Sequence, residues 1–283
     1  MQTVQVDTIR ELLARAQQQL TGSDSARLDA EILLSFVMKV SRESFYTHPD
    51  DPVAPELACD YWSLVAKRAT GFPIAYLTGH KEFWSTDLTV DQYTLIPRPE
   101  TECLVETALD LIPEHAAVNI LDLGTGSGAI AIAVAGERPD CNIIAVDIAT
   151  ESLHIAQANA VRHRLANIRF MQSDWFSSLR NEVFDLILCN PPYVDSRYQG
   201  FMDGEISFEP RIALDGGHLG LEAINHLIPA STRHLRPGGY FILEHGYDQA
   251  RSVAHLFSVN SFTELRVRQD YACHDRVSHA RLA

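Results

Sequence analysis

Close-set cysteines are missing from this 283-residue chain; the five it has, Cys59, Cys103, Cys141, Cys189 and Cys273, stand far apart. They form neither a disulfide framework nor a zinc knuckle, and they suit a reducing cytoplasm. The twelve histidines include no His-x-x-x-His pair, so no metal is expected. The longest apolar run near the middle, Ala129–Ala135, is far too short to cross a bilayer. Met1–Arg10 is polar and lacks the basic-then-apolar order of a signal peptide. Positive charge is also scarce, since 23 Lys and Arg against 37 Asp and Glu leave a formal charge of −14. A protein that grips a duplex usually needs a basic face to displace condensed counterions. A nucleic-acid substrate is therefore disfavoured. No internal repeat and no low-complexity segment is visible.

What remains is a globular composition, 46% hydrophobic and 21% charged, with length enough for one large domain and a smaller one. The first part reads as helical. Thr8 and Glu11 make a capping-box pair, and Ile9, Leu12, Leu13, Ala16 and Leu20 then share one helical face. A second helix is expected from Leu28 to Val40. A third is expected from Pro55 to Arg68, closed by Gly71 and Pro73. These helices carry apolar faces and no catalytic cluster, so residues 1–80 are expected to be a helical domain that recognises the substrate. Residues 81–97 read as a hairpin or extended linker around Ser85-Thr86-Asp87. Leu95-Ile96-Pro97-Arg98-Pro99 defers the next helix to about Glu100–Leu111, and Arg98 is expected to be structural.

From Val118 onward strands and helices alternate, which implies a mostly parallel sheet covered on both faces. Strands are expected at Val118–Leu123, Asn142–Ile148, Ile168–Gln172, Phe184–Cys189 and Tyr240–Glu244. Helices are expected at Ala129–Glu137, Glu151–Arg164, Gly220–Leu235 and Asp248–Phe257. Glu264–Arg268 and Arg276–Leu282 have no helix between them, so they must pair antiparallel. Residues 98–283 thus form an α/β domain.

Chemistry concentrates at the ends of these strands. Gly124-Thr125-Gly126-Ser127-Gly128 follows the first strand, where glycines let a ligand approach the backbone. Asp147 stands where an acid would accept ribose hydroxyls. These two features fit NAD and S-adenosylmethionine equally well. The fourth strand separates them, because it runs into Asn190-Pro191-Pro192-Tyr193. The Asn190 side-chain oxygen and the Pro191 carbonyl are two acceptors for one planar NH₂ group. Pro192 helps to expose carbonyls without adding a donor, and Tyr193 can stack on the flat group. Hydride transfer has no use for such a slot, whereas methylation of an amide or amine nitrogen does. Asp174-Trp175, after the third strand, could hold adenine, although Trp175 could equally be core. Asp122 is expected to brace the glycine loop. The long connection Val194–Leu219 follows the tetrapeptide and reads as a substrate-facing lid.

The chain closely resembles the release-factor glutamine methyltransferase family of the HemK/PrmC type over nearly its whole length. The resemblance rests on Pro73–Gly79, Leu95–Glu102, Gly124–Gly128, Asp174-Trp175-Phe176, Asn190–Tyr193 and Phe208–Leu214. The tetrapeptide is shared with adenine methyltransferases, but the Pro-Arg-Pro segment and the loop after the tetrapeptide are more selective. The resemblance implies a class I S-adenosylmethionine-dependent fold and N5-methylation of the glutamine in the Gly-Gly-Gln motif of class 1 peptide chain release factors. By the same resemblance, Gly124–Gly128, Asp147, Trp175 and Asn190 would contact S-adenosyl-L-methionine, and Asn190–Tyr193 the glutamine. The runner-up is an adenine N6-methyltransferase, which the charge disfavours. A non-catalytic escort of release factors is the third reading, and the intact tetrapeptide argues against it. One departure stands near the end, where Ala272-Cys273-His274 lacks the glycine expected before the family's Asp-Arg pair.

Overall fold

The computed structural model describes residues 7–283; the polar stretch Met1–Val6 lies outside them. The chain divides into two compact units. The first runs to Gly79 and also takes in Gly200–Phe208, while the second comprises His80–Gln199 and Glu209–Ala283.

The first unit holds helices α1 (Ile9–Gln19), α2 (Ala26–Met38), α3 (Ser44–Thr47), α4 (Pro55–Ala69) and α5 (Ile74–Thr78). The capping box forms as expected, with the Thr8 amide donating to Glu11 Oε2 at 2.8 Å and the Glu11 amide to Thr8 Oγ1 at 3.3 Å. Two otherwise orphaned helix-end donors are satisfied in this way. Ile9, Leu12, Ala16, Leu33, Leu34, Tyr61 and Val65 make the unit's own core. Beside it, buried Arg68 donates to buried Asp29 at 2.7 Å, and Ser23 and Ser25 give their hydroxyl protons to the same carboxylate. Arg68 also pairs with Glu205 at 2.7 Å, and Phe208 packs edge-on against Phe72. Those contacts attach the Gly200–Phe208 segment to this unit.

The second unit opens with the hairpin β1 (His80–Phe83) and β2 (Thr86–Thr89), turned by Trp84 and Ser85 at φ 51° and 54°. Two successive left-handed residues match the twist of a two-residue hairpin. A 3-10 turn at Pro99–Thr101 then leads into α6 (Glu102–Leu111). Next come β3 (Asn119–Leu123), α7 (Ala129–Glu137), β4 (Asn142–Asp147), α8 (Thr150–Arg162), β5 (Ile168–Gln172) and β6 (Phe184–Cys189). After the long connection follow α9 (Glu222–Ser231), β7 (Leu235–Glu244), α10 (Ala250–Val259), β8 (Phe262–Gln269) and β9 (Asp275–Leu282).

Seven strands form one sheet in the order β5-β4-β3-β6-β7-β9-β8. All neighbours are parallel up to β7, and β9 runs antiparallel between β7 and β8. Adjacent residues of the central strands feed opposite layers. Ile120, Leu186 and Ile242 face the layer of Leu104, Ile130 and Val134. Leu121, Ile187 and Phe241 face that of Leu227 and Phe257. Strands covered on both sides are mostly apolar, with Asp122 in β3 and Asp185 in β6 as interior exceptions. The helix expected at Gly220–Leu235 is shorter, because Leu235 pairs with Phe184 as the first residue of β7. Arg236–Gly239 then bulges before Tyr240 meets Leu186. Near the end, Cys273 occupies the left-handed region at φ 62°, and the turn closes through Asp270, which accepts the Ala272 and His274 amides. The missing glycine does not prevent that turn.

Candidate active site

Ligands in open α/β sheets bind at the carboxyl edge where the strand order reverses. Here that point lies between β3, whose chain continues outward to β4, and β6 on its other side. The ends of β4, β3 and β6 therefore present Asp147, Gly124 and Asn190 side by side. A cavity of about 440 Å³ opens there, within the range of small-ligand sites. Its wall includes Gly124, Gly126, Asp147, Asp174, Trp175, Asn190 and Pro192, with Leu95, Ile148 and Ile212 as apolar flanks.

The glycine loop turns back because the Gly124 and Thr125 amides both donate to the Val146 carbonyl at 2.9 Å. Gly124 and Gly126 have φ of 72° and 55°, a region that favours residues without a Cβ. Asp147 receives the Gly126 amide on Oδ2 and the Ala149 amide on Oδ1, both at 2.9 Å. Each oxygen keeps capacity for one further donor, and burial raises this carboxyl's pKa above the ordinary range. Beneath the loop, fully buried Asp122 accepts the Thr125 hydroxyl at 2.6 Å. Its burial pushes the pKa up to about 7. Thr125, Ser127 and Gly128 are buried and lie outside the cavity wall. A Cβ on Gly128 would come within 2.9 Å of Ile132, so this glycine serves helix packing. Asn159, also fully buried, donates to the Ser127 and Thr89 carbonyls and ties the hairpin to the loop.

Asn190 donates its Nδ2 to Thr101 Oγ1 at 3.1 Å, which leaves Oδ1 as the acceptor on the cavity side. Pro191 is buried and Tyr193 half-buried, and neither lines the cavity. The Tyr193 ring packs on the second core layer, and its hydroxyl donates to Glu244 Oε1 at 3.0 Å. Glu244 is fully buried at the end of β7. Burial lifts its pKa to about 7, against the opposing pull of the Thr101 and Tyr193 hydroxyls and the Arg276 charge.

The connection after the tetrapeptide is held closely. Gln249 Nε2 donates to the Tyr193 and Leu219 carbonyls at 3.0 Å each, and its Oε1 accepts the Gly246 amide. A Cβ on Gly216 would stand 2.6 Å from the Pro192 carbonyl oxygen, and one on Gly220 1.9 Å from that of Tyr193. Only glycine fits at either place. Glu209, its carboxylate wholly buried, pairs with Arg98 and accepts the Ile96 amide at 3.1 Å. The Pro-Arg-Pro segment and the Phe208–Leu214 motif are thus one structural feature. Among the described residues no cluster of His, Cys, Asp or Glu could hold a metal ion. No helix among them is long and apolar enough to cross a membrane.

Residues 11–79 match the PrmC N-terminal domain, and residues 101–203 match the methyltransferase small domain. The chain is 43% identical to the release factor glutamine methyltransferase of Escherichia coli over 95% of its own length and 97% of that protein's. It is 40% identical to the one from Aliivibrio fischeri, with 96% of each chain covered. The chain belongs to the release factor glutamine methyltransferase family. A solved methyltransferase from Pyrococcus furiosus shares the fold, with a TM-score of 0.52, 20% identity, and coverage of 69% of this chain and 88% of that one. Within this family member, the residues to which sequence reasoning gave no role of their own are Thr101, Gly216, Gly220, Glu244 and Gln249. Thr101 lies inside the Leu95–Glu102 motif and Gly216 inside the Val194–Leu219 connection; the other three lie outside every segment singled out for chemistry.

Proposed function

We propose that this enzyme transfers a methyl group from S-adenosylmethionine to the N5 nitrogen of the glutamine in the Gly-Gly-Gln motif of class 1 peptide chain release factors, in the cytoplasm. The observation that carries this reading is Asn190, whose amide is fixed by Thr101 with its oxygen free, in the wall of the cavity that also holds Gly124 and Asp147. The cavity suits the cofactor: an exposed glycine backbone, a half-buried acid with spare acceptor capacity, and the Trp175 face beside Asp174. Asp147, Gly124, Gly126 and Trp175 would hold it. When bound, S-adenosylmethionine supplies a sulfonium-activated methyl group.

The protein's remaining task is to place a poor nucleophile. An amide lone pair is delocalised, so the two N–H bonds must be gripped and the nitrogen aimed. Asn190 Oδ1 accepts one of those hydrogens at the cavity wall. The other goes to the Pro191 carbonyl next to it, which requires the substrate amide to reach past the wall to a residue that is itself buried. Both acceptors favour the positive charge that develops on nitrogen. The tetrapeptide carries no general base, so the proton leaves after the methyl group arrives. The helical unit recognises the release factor, and its exposed Phe36 and Val40 suit contact with a protein.

The decisive experiment supplies labelled cofactor with release factor, with release factor whose Gly-Gly-Gln glutamine is alanine, and with DNA. Label is expected in the first alone. Asn190→Ala should lower turnover on the order of a hundredfold with little change in cofactor affinity. Labelled DNA, or an Asn190→Ala enzyme with wild-type turnover, would refute the assignment. Phe36→Ser with Val40→Ser should raise KM for intact release factor and leave a short Gly-Gly-Gln peptide unaffected.

A further inference from the structure

Resting on that reading, we infer that Gln249 is a positioning residue for methyl transfer. From outside the cavity, its side-chain amide fixes the backbone of the Asn190–Tyr193 tetrapeptide to the turn that forms the neighbouring wall. Four hydrogen bonds join three segments. Nε2 donates to the Tyr193 and Leu219 carbonyls at 3.0 Å and to that of Gly220 at 3.3 Å, while Oε1 accepts the Gly246 amide at 2.8 Å. A primary amide has two N–H bonds, so one of them is shared between two carbonyls.

The buried side chain has a single way to sit. Gln249 caps α10, its own amide donating to the Gly246 carbonyl and its carbonyl accepting the Val253 amide. Val253 and Phe257 hold that helix in the second core layer. Turning the side-chain amide over would set its oxygen against three carbonyls and its N–H groups against the Gly246 N–H. Only an amide of this length serves both ends. An ionised carboxylate accepts and donates nothing, and a thioether of similar length leaves both ends unmet.

The clamp reaches the chemistry through the backbone. The Tyr193 carbonyl belongs to the tetrapeptide itself, and Leu219 and Gly220 belong to the turn packed on it. A Cβ on Gly220 would stand 1.9 Å from the Tyr193 carbonyl oxygen. The Val194 amide donates to the Leu214 carbonyl at 2.9 Å, and the Gly216 amide to the Val194 carbonyl at 2.8 Å. Gly216 and Gly217 line the cavity together with Asn190 and Pro192. Without Nε2 the carbonyls lose their shared donor, and a carbonyl left unpaired turns toward another donor or water. In a segment packed this closely, such a turn displaces Tyr193 and with it the acceptors Asn190 and Pro191. Asp147, Gly124, Gly126 and Trp175, which hold the cofactor, are not among the groups that Gln249 bonds.

The test measures kcat on release factor and cofactor Kd by calorimetry, whose stoichiometry also counts folded sites. Gln249→Glu keeps the acceptor for the Gly246 amide and loses the donor; Gln249→Met keeps the length and loses both. Each should lower kcat per folded site on the order of tenfold to a hundredfold, with cofactor Kd within about twofold of wild type. Added to Asn190→Ala, Gln249→Met should cost less than about threefold more, because the acceptor it positions is already gone. Gly246→Ala is the mild variant, since its Cβ would stand 3.1 Å from Gln249 Oε1 and every polar group is kept. Restoring ordinary contact moves the amide by about 0.3 Å, which at about a hundredfold per ångström is about fourfold in kcat. Wild-type kcat in both glutamine variants, kcat and cofactor affinity falling together, or a full multiplicative loss on Asn190→Ala would each overturn the proposal. Should neither glutamine variant fold, Gly246→Ala decides it, and an unchanged kcat there counts against the clamp. A wild-type enzyme that leaves release factor unmethylated would instead overturn the function on which the proposal rests.

Discussion

Replacing Asp147 by alanine separates cofactor binding from the rest of the machinery. Two backbone amides, those of Gly126 and Ala149, lose their acceptor in this variant. Both border an open cavity, so water can replace the carboxylate, and the loss of stability should be about 1–2 kcal/mol, near 1 kcal/mol for each bond. The larger effect falls on the ligand. Bonds from ribose hydroxyls to an ionised carboxylate are charge-assisted, and losing them should cost about 1.5–3 kcal/mol. At 1.4 kcal/mol per decade, that is a roughly 10- to 150-fold rise in Kd. Calorimetry with S-adenosylmethionine reads the change, and circular dichroism confirms that the variant is folded. The wild type adds a second arm. Burial raises the Asp147 pKa, so its acceptor capacity is lost, on acidification, at a higher pH than for an exposed aspartate. Affinity should weaken as pH falls through that raised value, and the alanine variant should lack this dependence. A folded variant with unchanged Kd would remove Asp147 from the site.

Gly220→Ala should cripple turnover, because its Cβ would lie 1.9 Å from the Tyr193 carbonyl oxygen. A shift of about 1 Å in the tetrapeptide can cost on the order of a hundredfold in kcat, and near-normal kinetics would contradict the close approach. Asp122 has its pKa raised to about 7 by burial, so the folded state binds the extra proton, and the stability it contributes is lost as pH rises from about 4 through 7. The slope is at most about 1.4 kcal/mol per pH unit, and urea unfolding of Asp122→Asn should show a flatter profile than wild type. Arg68→Ala should cost about 3–5 kcal/mol, because buried Asp29 is left without its counter-charge; unfolding midpoints check it.

Local pattern was a good guide wherever one stretch of chain decides its own structure. Phe184–Cys189, Ile168–Gln172 and Ala129–Glu137 were each legible to the residue, since each is a mostly apolar run bounded by polar residues, broken only by Asp185 in the first and Arg169 in the second. The glycine loop and the tetrapeptide were legible because their unusual residues announce unusual backbone. Leu235 was not, since a helical period extends to it and only its pairing with Phe184 places it in the sheet. The supports of Asn190 and Tyr193 were hidden for a related reason. Thr101 lies 89 residues from Asn190, and Glu244 lies 51 from Tyr193. Nothing in a buried glutamate at a strand end distinguishes it in sequence from a solvent-facing one. Tyr193 was read as a stacking ring, whereas the structure gives its hydroxyl a fixed partner as well.

The Gly200–Phe208 segment bears on how this protein can be recombined. Its sequence neighbours on both sides belong to the second unit, yet it shares the first unit's contacts through Arg68–Glu205 and Phe72–Phe208. A crossover at Gly79, the obvious seam, would therefore exchange an incomplete module. The incoming helices would meet a foreign strip of loop, and a buried arginine or its substitute would face an acid selected for another partner. Chimaeras between family members should work best when residues 200–208 travel with the N-terminal helices. The heritable unit in this protein is discontinuous, and grafting a new specificity onto it takes two pieces of sequence.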